Sequence, residues 1–299
     1  MGDFFTEKPN SKDTIKDRIS RGHAVYANMC SILNDIPLGN RRTQAGILLR
    51  HALFLNGCLF NSEVWIGYSD QDLHAHDVID HQILRLITGA QAKSPVEMLY
   101  LETAELPVKS VISVRRLMYL QTILTRHKEE LIHRVYRAMK DKPYKGDWIE
   151  KVEEDLKTIN MSLSMESEIK QMTKSEFKRI VKLGVRASAF KHLEALKLSH
   201  DKVKHIEHTD MKKPQEYTNC KDLNKKQKYL LYNLRCRSEN SFKDNFHKMY
   251  QSLDCPLCGK NIDSQEHALE CHIVKQHLKP EDINILCVVR YEYILEPLH

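Results

Sequence analysis

Residues 255–272 read CPLCGKNIDSQEHALECH and contain four candidate metal ligands in the pattern Cys-x2-Cys-x8-His-x3-Cys. The four are Cys255, Cys258, His267 and Cys271. Two cysteines separated by two residues can approach one metal ion from a tight turn, which Gly259 can supply. A histidine and a cysteine four residues apart share one face of a helix. Because Zn²⁺ favours a tetrahedral set of nitrogen and sulfur ligands, the spacing predicts one structural Zn²⁺ in a small zinc knuckle at residues 251–279.

A second ligand set is possible in the same stretch. The two leading cysteines combine with His272 and His277 in the pattern Cys-x2-Cys-x13-His-x4-His, which is close to a finger whose helix could enter a DNA groove. Its spacer is one residue longer than the usual twelve, and it leaves His267 and Cys271 unused. We therefore rank it below the first set.

The composition indicates a folded, helix-rich protein. Of 299 residues, 41% are hydrophobic and 29% are charged, and only ten are glycine and nine proline. The sequence has no apolar run of membrane-spanning length and no secretory signal at its N-terminus, so we expect an intracellular protein that does not enter a membrane. The cysteines outside the metal pattern are scattered, which favours a reducing compartment over a disulfide framework.

Apolar spacing and helix-start signals predict a mainly α fold. Ser69 and Asp72 resemble a capping box that opens a helix ending at Gly89, and Pro95 and Pro107 each mark a helix start. Residues 108–140 form one long or broken helix in this prediction, with Arg115 and Arg116 away from much of its apolar face.

Three further segments complete the prediction. A helix of about twenty-five residues begins near Ser175, and residues 199–217 interrupt the periodicity as a linker. Within a helix predicted over residues 42–60, the pair Asn56-Gly57 is interpreted as a close packing point.

The sequence lacks the common catalytic patterns. It has no glycine-rich phosphate loop, no nucleophile elbow, no His-Glu-x-x-His and no adjacent pair of aspartates for two-metal chemistry. His76 and Asp80 lie one helical turn apart in a group of histidines and aspartates, but such a group is more typical of an exposed helix face. The sequence predicts a binding function rather than a reaction.

The formal net charge of +6 is modest, but lysine and arginine cluster in residues 109–145, 170–213 and 221–248. Solvated helix faces and a nucleic-acid surface both explain this clustering, and the sequence alone leaves the two interpretations open.

The order of several motifs resembles the C-terminal part of the polyproteins of non-LTR retrotransposons, most closely the Dong-type elements, which carry a restriction-like endonuclease after the reverse transcriptase. The resemblance rests on motifs that occur in this order: TIKDRISRGHAV, IPLGNRR, ALFLNGCLFNSEVW, ILRLITGAQAKSPVEMLYLETAELPVKSVISVRRLMYLQTIL, PYKGDW, MTKSEFKRIVK, AFKHLEALKLSHDKVKHI and CPLC followed by DSQEHALEC. Its most specific block is PVEMLYLETAELPVKSVISVRRLMYLQTIL.

This resemblance implies a helical thumb and linker bundle before the zinc knuckle. It divides the chain into a thumb-like region at 1–126, a helical linker at 127–200, basic linker helices at 201–250, the knuckle at 251–279 and the start of an endonuclease region at 280–299. The polymerase aspartates would lie before Met1, and the endonuclease acids are not found after Cys271. The chain is therefore expected not to be an enzyme.

The resemblance further implies binding of template RNA or target DNA, a nuclear location, and possible association with an intact retroelement protein. The residues it favours for contacts to the nucleic-acid backbone are Arg115, Arg116, Arg126, Lys174, Lys178, Arg179, Lys182 and Arg186. The alternative function is a standalone α-helical adaptor, stapled by zinc, that binds protein partners through apolar grooves and does not bind nucleic acid.

Overall fold

Helices dominate the structure, a computed structural model that describes residues 11–35, 41–204, 206–208, 210–238 and 243–277. The predicted mainly α class is confirmed. No strand occurs in these ranges, where an isolated bridge pairs Asp254 with Ile262. None of the described helices is both long and apolar enough to cross a bilayer.

The α-helices are α1 (Lys12–Asp35), α2 (Arg42–Leu49), α3 (Asn56–Cys58), α4 (Asp70–Thr88), α5 (Val96–Thr103), α6 (Val108–Thr125), α7 (Leu131–Asp141), α8 (Trp148–Thr158), α9 (Glu166–Gln171), α10 (Lys174–Lys197), α11 (Glu216–Asn219), α12 (Lys225–Arg235), α13 (Gln265–Glu270) and α14 (His272–His277). A π-helical segment, Arg50–Leu55, joins α2 to α3, and 3₁₀ turns occur at Ser62–Val64, Leu163–Met165 and Lys243–Phe246.

Local sequence signals explain where the main helices begin. The predicted capping box at α4 is confirmed, because the Ser69 hydroxyl accepts from Asp72 N while the Asp72 carboxylate accepts from Ser69 N at 2.7 Å. Pro95 and Pro107 stand directly before α5 and α6, as predicted. The segment 108–140 is broken rather than continuous, since residues 126–130 separate α6 from α7.

The helix predicted over residues 42–60 is also interrupted. Its π-helical segment begins at Arg50, whose side chain is fully buried. The interpretation of Gly57 as a close packing point is wrong, because a Cβ built on Gly57 would meet no atom within 4 Å. The close approach occurs instead at Gly46, where a Cβ would lie 2.6 Å from Ile87.

Two apolar cores organise the helices. In the first core, α1 packs on α4, and buried residues of α5 and the π-helical segment join them. The second core gathers the C-terminal half of α6 with α7, α8, α9 and the N-terminal half of α10. Since α10 contributes Phe177, Val181 and Val185 to the second core and Leu193 to the first, this single helix connects the two.

The predicted linker segment also contributes to the first core. Val203, Ile206 and Met211 are almost completely buried there, together with Tyr232 of α12. Val203, Ile206, Met211 and Tyr232 thus attach this part of the chain to the core formed by α1, α4 and α5.

Three buried ion pairs join helices that are distant in sequence. The pairs are Arg50 with Asp80, Arg116 with Asp155, and Arg235 with Glu102. Burial alone would raise the pKa of Glu102, but Arg235 and the neighbouring His208 lower that pKa below its usual value. Each pair satisfies charges that would otherwise be costly inside the fold.

Candidate metal centre and charged surfaces

The first two predicted metal ligands lie on a tight turn. Cys255 N donates to Asn261 O at 2.7 Å, and Gly259 N donates to Cys255 O at 2.9 Å. Gly259 has φ +65°, a left-handed conformation that glycine adopts without strain. The backbone therefore folds back just after Cys258, which brings both sulfur atoms to the same side of the turn.

The other two ligands belong to the short helix α13 and its C-terminal end. The Ser264 hydroxyl caps this helix by accepting from His267 N at 3.2 Å. Cys271 N donates to His267 O at 2.6 Å, so the histidine and the cysteine are held one helical turn apart. Their side chains face the turn that carries Cys255 and Cys258.

These four side chains form one group that could hold a metal ion. The donor atoms of Cys255, Cys258, His267 and Cys271 all lie within 4.8 Å of one another, and Cys258 Sγ is 3.2 Å from His267 Nε2. In a tetrahedral zinc site, ligand atoms lie roughly 3.5–3.8 Å apart, so the wider pairs of this group would move closer and the Cys258–His267 pair would move slightly apart. Cys255 and Cys271 are buried, which is typical of a structural site closed to solvent.

The alternative ligand set is not assembled. His272 is exposed at the start of α14 and lies outside this group of donor atoms, and the side chain of His277 lies outside the described residues. Within the described part of the chain, Cys255, Cys258, His267 and Cys271 are the only group of three or more His, Cys, Asp or Glu side chains whose donor atoms lie close enough to share a metal ion.

The segment that carries the group, residues 243–277, is named the metal module here. Its own backbone pairing is small: Asp263 N donates to Leu253 O at 2.7 Å, and Asp244 N donates to Asp263 O at 3.3 Å. Side-chain contacts join it to turns between the helices of the bundle, and among them are Lys93 with Phe246, Lys202 with Asn245, and Arg237 with Glu266. In the first, Lys93 Nζ lies 3.4 Å from the centroid of the Phe246 ring.

Three of the eight arginines and lysines predicted to contact nucleic acid donate hydrogen bonds to groups in other parts of the fold. Arg115 donates to the carbonyls of Leu55 and Leu59, where the π-helical segment and α3 end. Arg116 is 2% exposed and pairs with Asp155 at 2.6 Å. The prediction that it lies away from the apolar face of α6 does not hold, because the side chain reaches inward to a carboxylate 39 positions away.

Arg186 also points into the fold. Its guanidinium donates to Ala104 O at 3.0 Å and to Met211 O, linking α10 to the end of α5 and to the predicted linker. These contacts occupy the guanidinium groups of Arg115, Arg116 and Arg186, so we leave the three arginines out of the surface considered for phosphate binding.

The other five predicted cations are exposed. Lys174, Lys178 and Lys182 are spaced four residues apart along α10, with Arg179 beside them, and these four are named the basic surface of α10. Among the described residues, none of the four has a carboxylate within ion-pair distance. Arg126 follows the end of α6 and lies 3.8 Å from Glu130.

Glu176 is the one acidic residue in the first three turns of α10. Its carboxylate accepts from Thr173 N and Thr173 Oγ1 at 2.9 and 2.7 Å, and these hydrogen bonds lower its pKa. Gln121 of α6 donates to Met172 O at 3.1 Å, so the end of α6 that precedes Arg126 lies beside the start of α10.

The histidines and aspartates of α4 separate into two groups. His76 and Asp80 are fully buried, so the interpretation of this group as an exposed helix face is wrong for these two residues. His74, Asp77 and His81 line a cleft of about 670 Å³ between α4, α5, α6, α8 and α10. Burial raises the pKa of Asp77 to about 6 and lowers that of His81 to about 4.

Neither the inward direction of Arg116 nor this cleft could be predicted from the sequence. Both depend on residues of α8 and α10 that lie tens of positions from α4 and α6 in the chain. The metal ligands, in contrast, lie within seventeen residues, and their spacing alone was sufficient to find them.

The comparisons with known proteins add no relative. No protein-family model matches the chain, and no curated protein and no solved structure matches it.

Proposed function

We propose that this protein binds RNA or DNA without catalysing a reaction, through the basic surface of α10 and a metal module held by one Zn²⁺. In this proposal the chain is a thumb, linker and zinc-knuckle portion of a non-LTR retrotransposon reverse transcriptase, and it acts in the nucleus. The resemblance of the sequence motifs supports the part of this proposal that assigns the chain to a retrotransposon reverse transcriptase. The observation that carries the binding function is the row of exposed cations at Lys174, Lys178, Arg179 and Lys182.

Phosphate binding explains that row better than a solvated helix face does. Solvated faces commonly alternate acids and bases in pairs one turn apart, and each such pair reduces the local field. The first three turns of α10 carry four cations and one acidic residue, Glu176, whose carboxylate accepts a hydrogen bond from the capping residue Thr173. Glu176 interacts with Arg179 and offsets one of the four positive charges, so a net positive charge remains that phosphate groups can neutralise.

The metal would hold the module together rather than take part in a reaction. Zn²⁺ at Cys255, Cys258, His267 and Cys271 fixes the turn and α13 relative to each other, and all four coordination positions are then filled by protein. In this proposal the nucleic acid is bound and positioned by protein side chains and not by the metal ion.

The test is a fluorescence anisotropy titration of an RNA–DNA primer–template at two salt concentrations, with zinc determined on the same sample. We expect about one zinc per chain and a steep loss of affinity with salt. Four phosphate contacts on a duplex correspond to a slope of roughly −4 in a plot of log K against log salt.

The double variant Lys178→Gln/Lys182→Gln should reduce that slope by about two, since each removed phosphate contact lowers it by roughly one. The control Lys16→Gln/Lys157→Gln removes two exposed lysines from α1 and α8 and should leave the slope unchanged. Binding that ignores salt, or a control that matches the α10 variant, would contradict the proposal.

A different observation favours the alternative function of a zinc-stapled adaptor. Large apolar side chains are exposed along α7, beside a groove in the second core. Such a patch is typical of a protein-binding surface.

A further inference from the structure

A small apolar groove opens between α7 and the 3₁₀ turn Ser62–Val64. Its volume is about 200 Å³, less than the pockets that usually hold small-molecule ligands, but enough for individual side chains. The groove is lined by Val64, Ile66, Tyr119, Ile123, Ile132, Val135, Tyr136, Met139 and Trp148.

Apolar side chains continue from the groove onto the surface of α7. Leu131 is 75% exposed, Val135 is 48% exposed, and Val64 on the opposite wall is 41% exposed. Leu131, Val135 and Ala138 are spaced at i, i+4 and i+7, so they share one face of the helix. This contiguous face is unlike the isolated exposed apolar residues that any protein surface carries.

The groove is already formed in the free protein. Trp148 Nε1 donates to Glu63 O at 2.7 Å and so fixes the wall that carries Val64. The Trp148 ring also packs edge-on against Tyr119 and Tyr136, with ring centroids 6.0 and 6.2 Å apart. Because this surface is already ordered, a partner binds it without the entropic cost of ordering it, and this favours binding.

Positive charge borders the groove on the side of α7, while Glu63 lies on the opposite wall and Glu166 accepts a hydrogen bond from Tyr136. Residues 126–145 contain seven Lys or Arg and three Asp or Glu, a net charge of +4 in twenty residues, compared with +6 for the whole chain. Arg134 lies three residues after Leu131 and four before Ala138, so it borders the apolar face. Lys142 follows the same face at the end of α7. Among the described residues, neither side chain has an ion-pair partner.

We propose that this groove binds an acidic amphipathic helix of a protein partner. The eleven residues of α7 extend about 16 Å, which matches a partner helix of about three turns. Apolar anchors at i, i+4 and i+7 would enter the groove, and acidic residues on the flanks would face Arg134 and Lys142. The most exposed side chains of this surface, Leu131, Val135 and Val64, are aliphatic, and the rings of Tyr136 and Trp148 in the groove are buried. A surface for unpaired bases presents exposed aromatic side chains instead. The groove therefore favours protein over nucleic acid, and the inference does not depend on the basic surface of α10.

The test is fluorescence anisotropy with a labelled sixteen-residue synthetic helix that carries leucine at positions 3, 7, 10 and 14 and glutamate on the remaining faces. The full chain should bind this acidic helix and should bind the same helix with lysine in place of glutamate at least tenfold more weakly. Val135→Glu should weaken binding of the acidic helix at least tenfold, as expected for an anchor position, and Arg134→Glu should weaken it more at low salt than at high salt.

The matched control is Leu198→Glu, which places the same charge on an exposed leucine at the end of α10 and should leave affinity unchanged. Circular dichroism on each variant separates lost binding from lost folding. Equal affinity for the acidic and the basic helix, or affinity that Val135→Glu does not change, would overturn the proposal.

Two other occupants would also overturn it. One is the chain's own N-terminal segment, since Ser11 N donates to Ile66 O at 2.8 Å at the wall of the groove. Displacement of the acidic helix by a synthetic peptide of residues 1–10 would favour that occupant. The other is a second copy of the chain, which sedimentation equilibrium would detect as a dimer that Val135→Glu dissociates. Displacement of the acidic helix by single-stranded RNA would instead assign the groove to nucleic acid.

Discussion

The helical bundle formed by α1 to α12 and the metal module of residues 243–277 are stabilised by different means. The bundle buries two large apolar cores and satisfies its internal charges with buried ion pairs. Among the side chains of the metal module that the structure describes, the buried hydrophobic ones are Cys255 and Cys271, both candidate metal ligands, while Met249, Tyr250, Leu257 and Ile262 are exposed.

The difference shows what a short segment can and cannot do alone. Thirty-five residues cannot bury enough apolar surface to offset the conformational entropy of ordering them, so segments of this size usually depend on a metal or on disulfides. The bundle does not have this constraint. We therefore expect removal of the metal to affect the module, and changes in packing or charge to affect the bundle.

The largest effect is expected from metal removal. Zn²⁺ contributes about 10–16 kcal/mol to the folding of zinc-finger peptides, so chelation or Cys258→Ser should unfold the module completely and leave the bundle folded. Limited trypsin digestion should then cut at Lys260, while the circular dichroism of the helices changes little. Cys220→Ser removes a half-buried thiol outside the group and should retain the metal. Unfolding of the bundle together with the module would contradict the view that the two regions are stabilised independently.

The next largest effect is expected from breaking a buried ion pair in the bundle. Arg50→Met would leave Asp80, now bonded bidentately to Arg50 at 2.6 and 2.7 Å, buried without its cation. Loss of one partner of such a pair lowers the free energy of unfolding by about 3–5 kcal/mol. Urea unfolding measures this loss as a lower midpoint, and the zinc content should not change. Lys109→Ala removes an exposed ion pair to Asp70 and should cost well under ~1 kcal/mol. Similar losses for the two variants would show that burial does not decide the cost.

Acid should weaken the bundle through His76. Burial lowers the pKa of this histidine to about 4, whereas an unfolded histidine takes up its proton near 6.5. The folded state therefore loses stability as the pH falls from about 6.5 to 4, by about 3 kcal/mol at most. His81 contributes in the same direction, while Asp77, whose pKa is raised to about 6, contributes in the opposite direction as the pH falls from about 6 to 4.

Urea unfolding at pH 7.5 and pH 5 measures this dependence. The variant His76→Leu cannot take up the proton, so its loss of stability between the two values should be smaller than that of the parent protein. A parallel loss in both proteins would show that His76 does not carry the effect.

The smallest effect is expected from a pair of glycine substitutions. Gly46→Ala would place a Cβ 2.6 Å from Ile87 and should destabilise the bundle by about 1–3 kcal/mol. Gly57→Ala meets no atom within 4 Å and should be neutral or stabilise the helix by about 0.5 kcal/mol. Thermal melts of both variants give the sign of the change in stability. Equal shifts of the melting temperature would mean that packing at Gly46 is looser than the structure indicates.

Features set by neighbouring residues could be predicted from the sequence. The capping box at Ser69, the helix starts after Pro95 and Pro107, and the ligand spacing from Cys255 to Cys271 each depend on a few consecutive turns of the chain. The physical causes are local hydrogen bonds and the helical repeat, so the printed sequence contains the necessary information.

Features set by distant residues could not be predicted. Arg116 is buried because Asp155 lies opposite it, and His76 is buried because Trp65 and the first core surround it. Gly57 and Gly46 are alike in the sequence, and only the position of Ile87 on α4 distinguishes them. The basic surface of α10 could be located from the sequence, but the inward direction of Arg186 on the same helix could not.

The connection of both cores by α10 has a consequence for how the bundle unfolds. The helix has 24 residues and is about 36 Å long, and its buried side chains divide between the two cores. Neither core can lose its packing without exposing part of a helix that the other core still holds. The two cores are therefore expected to melt in a single cooperative transition, although each has its own set of apolar contacts.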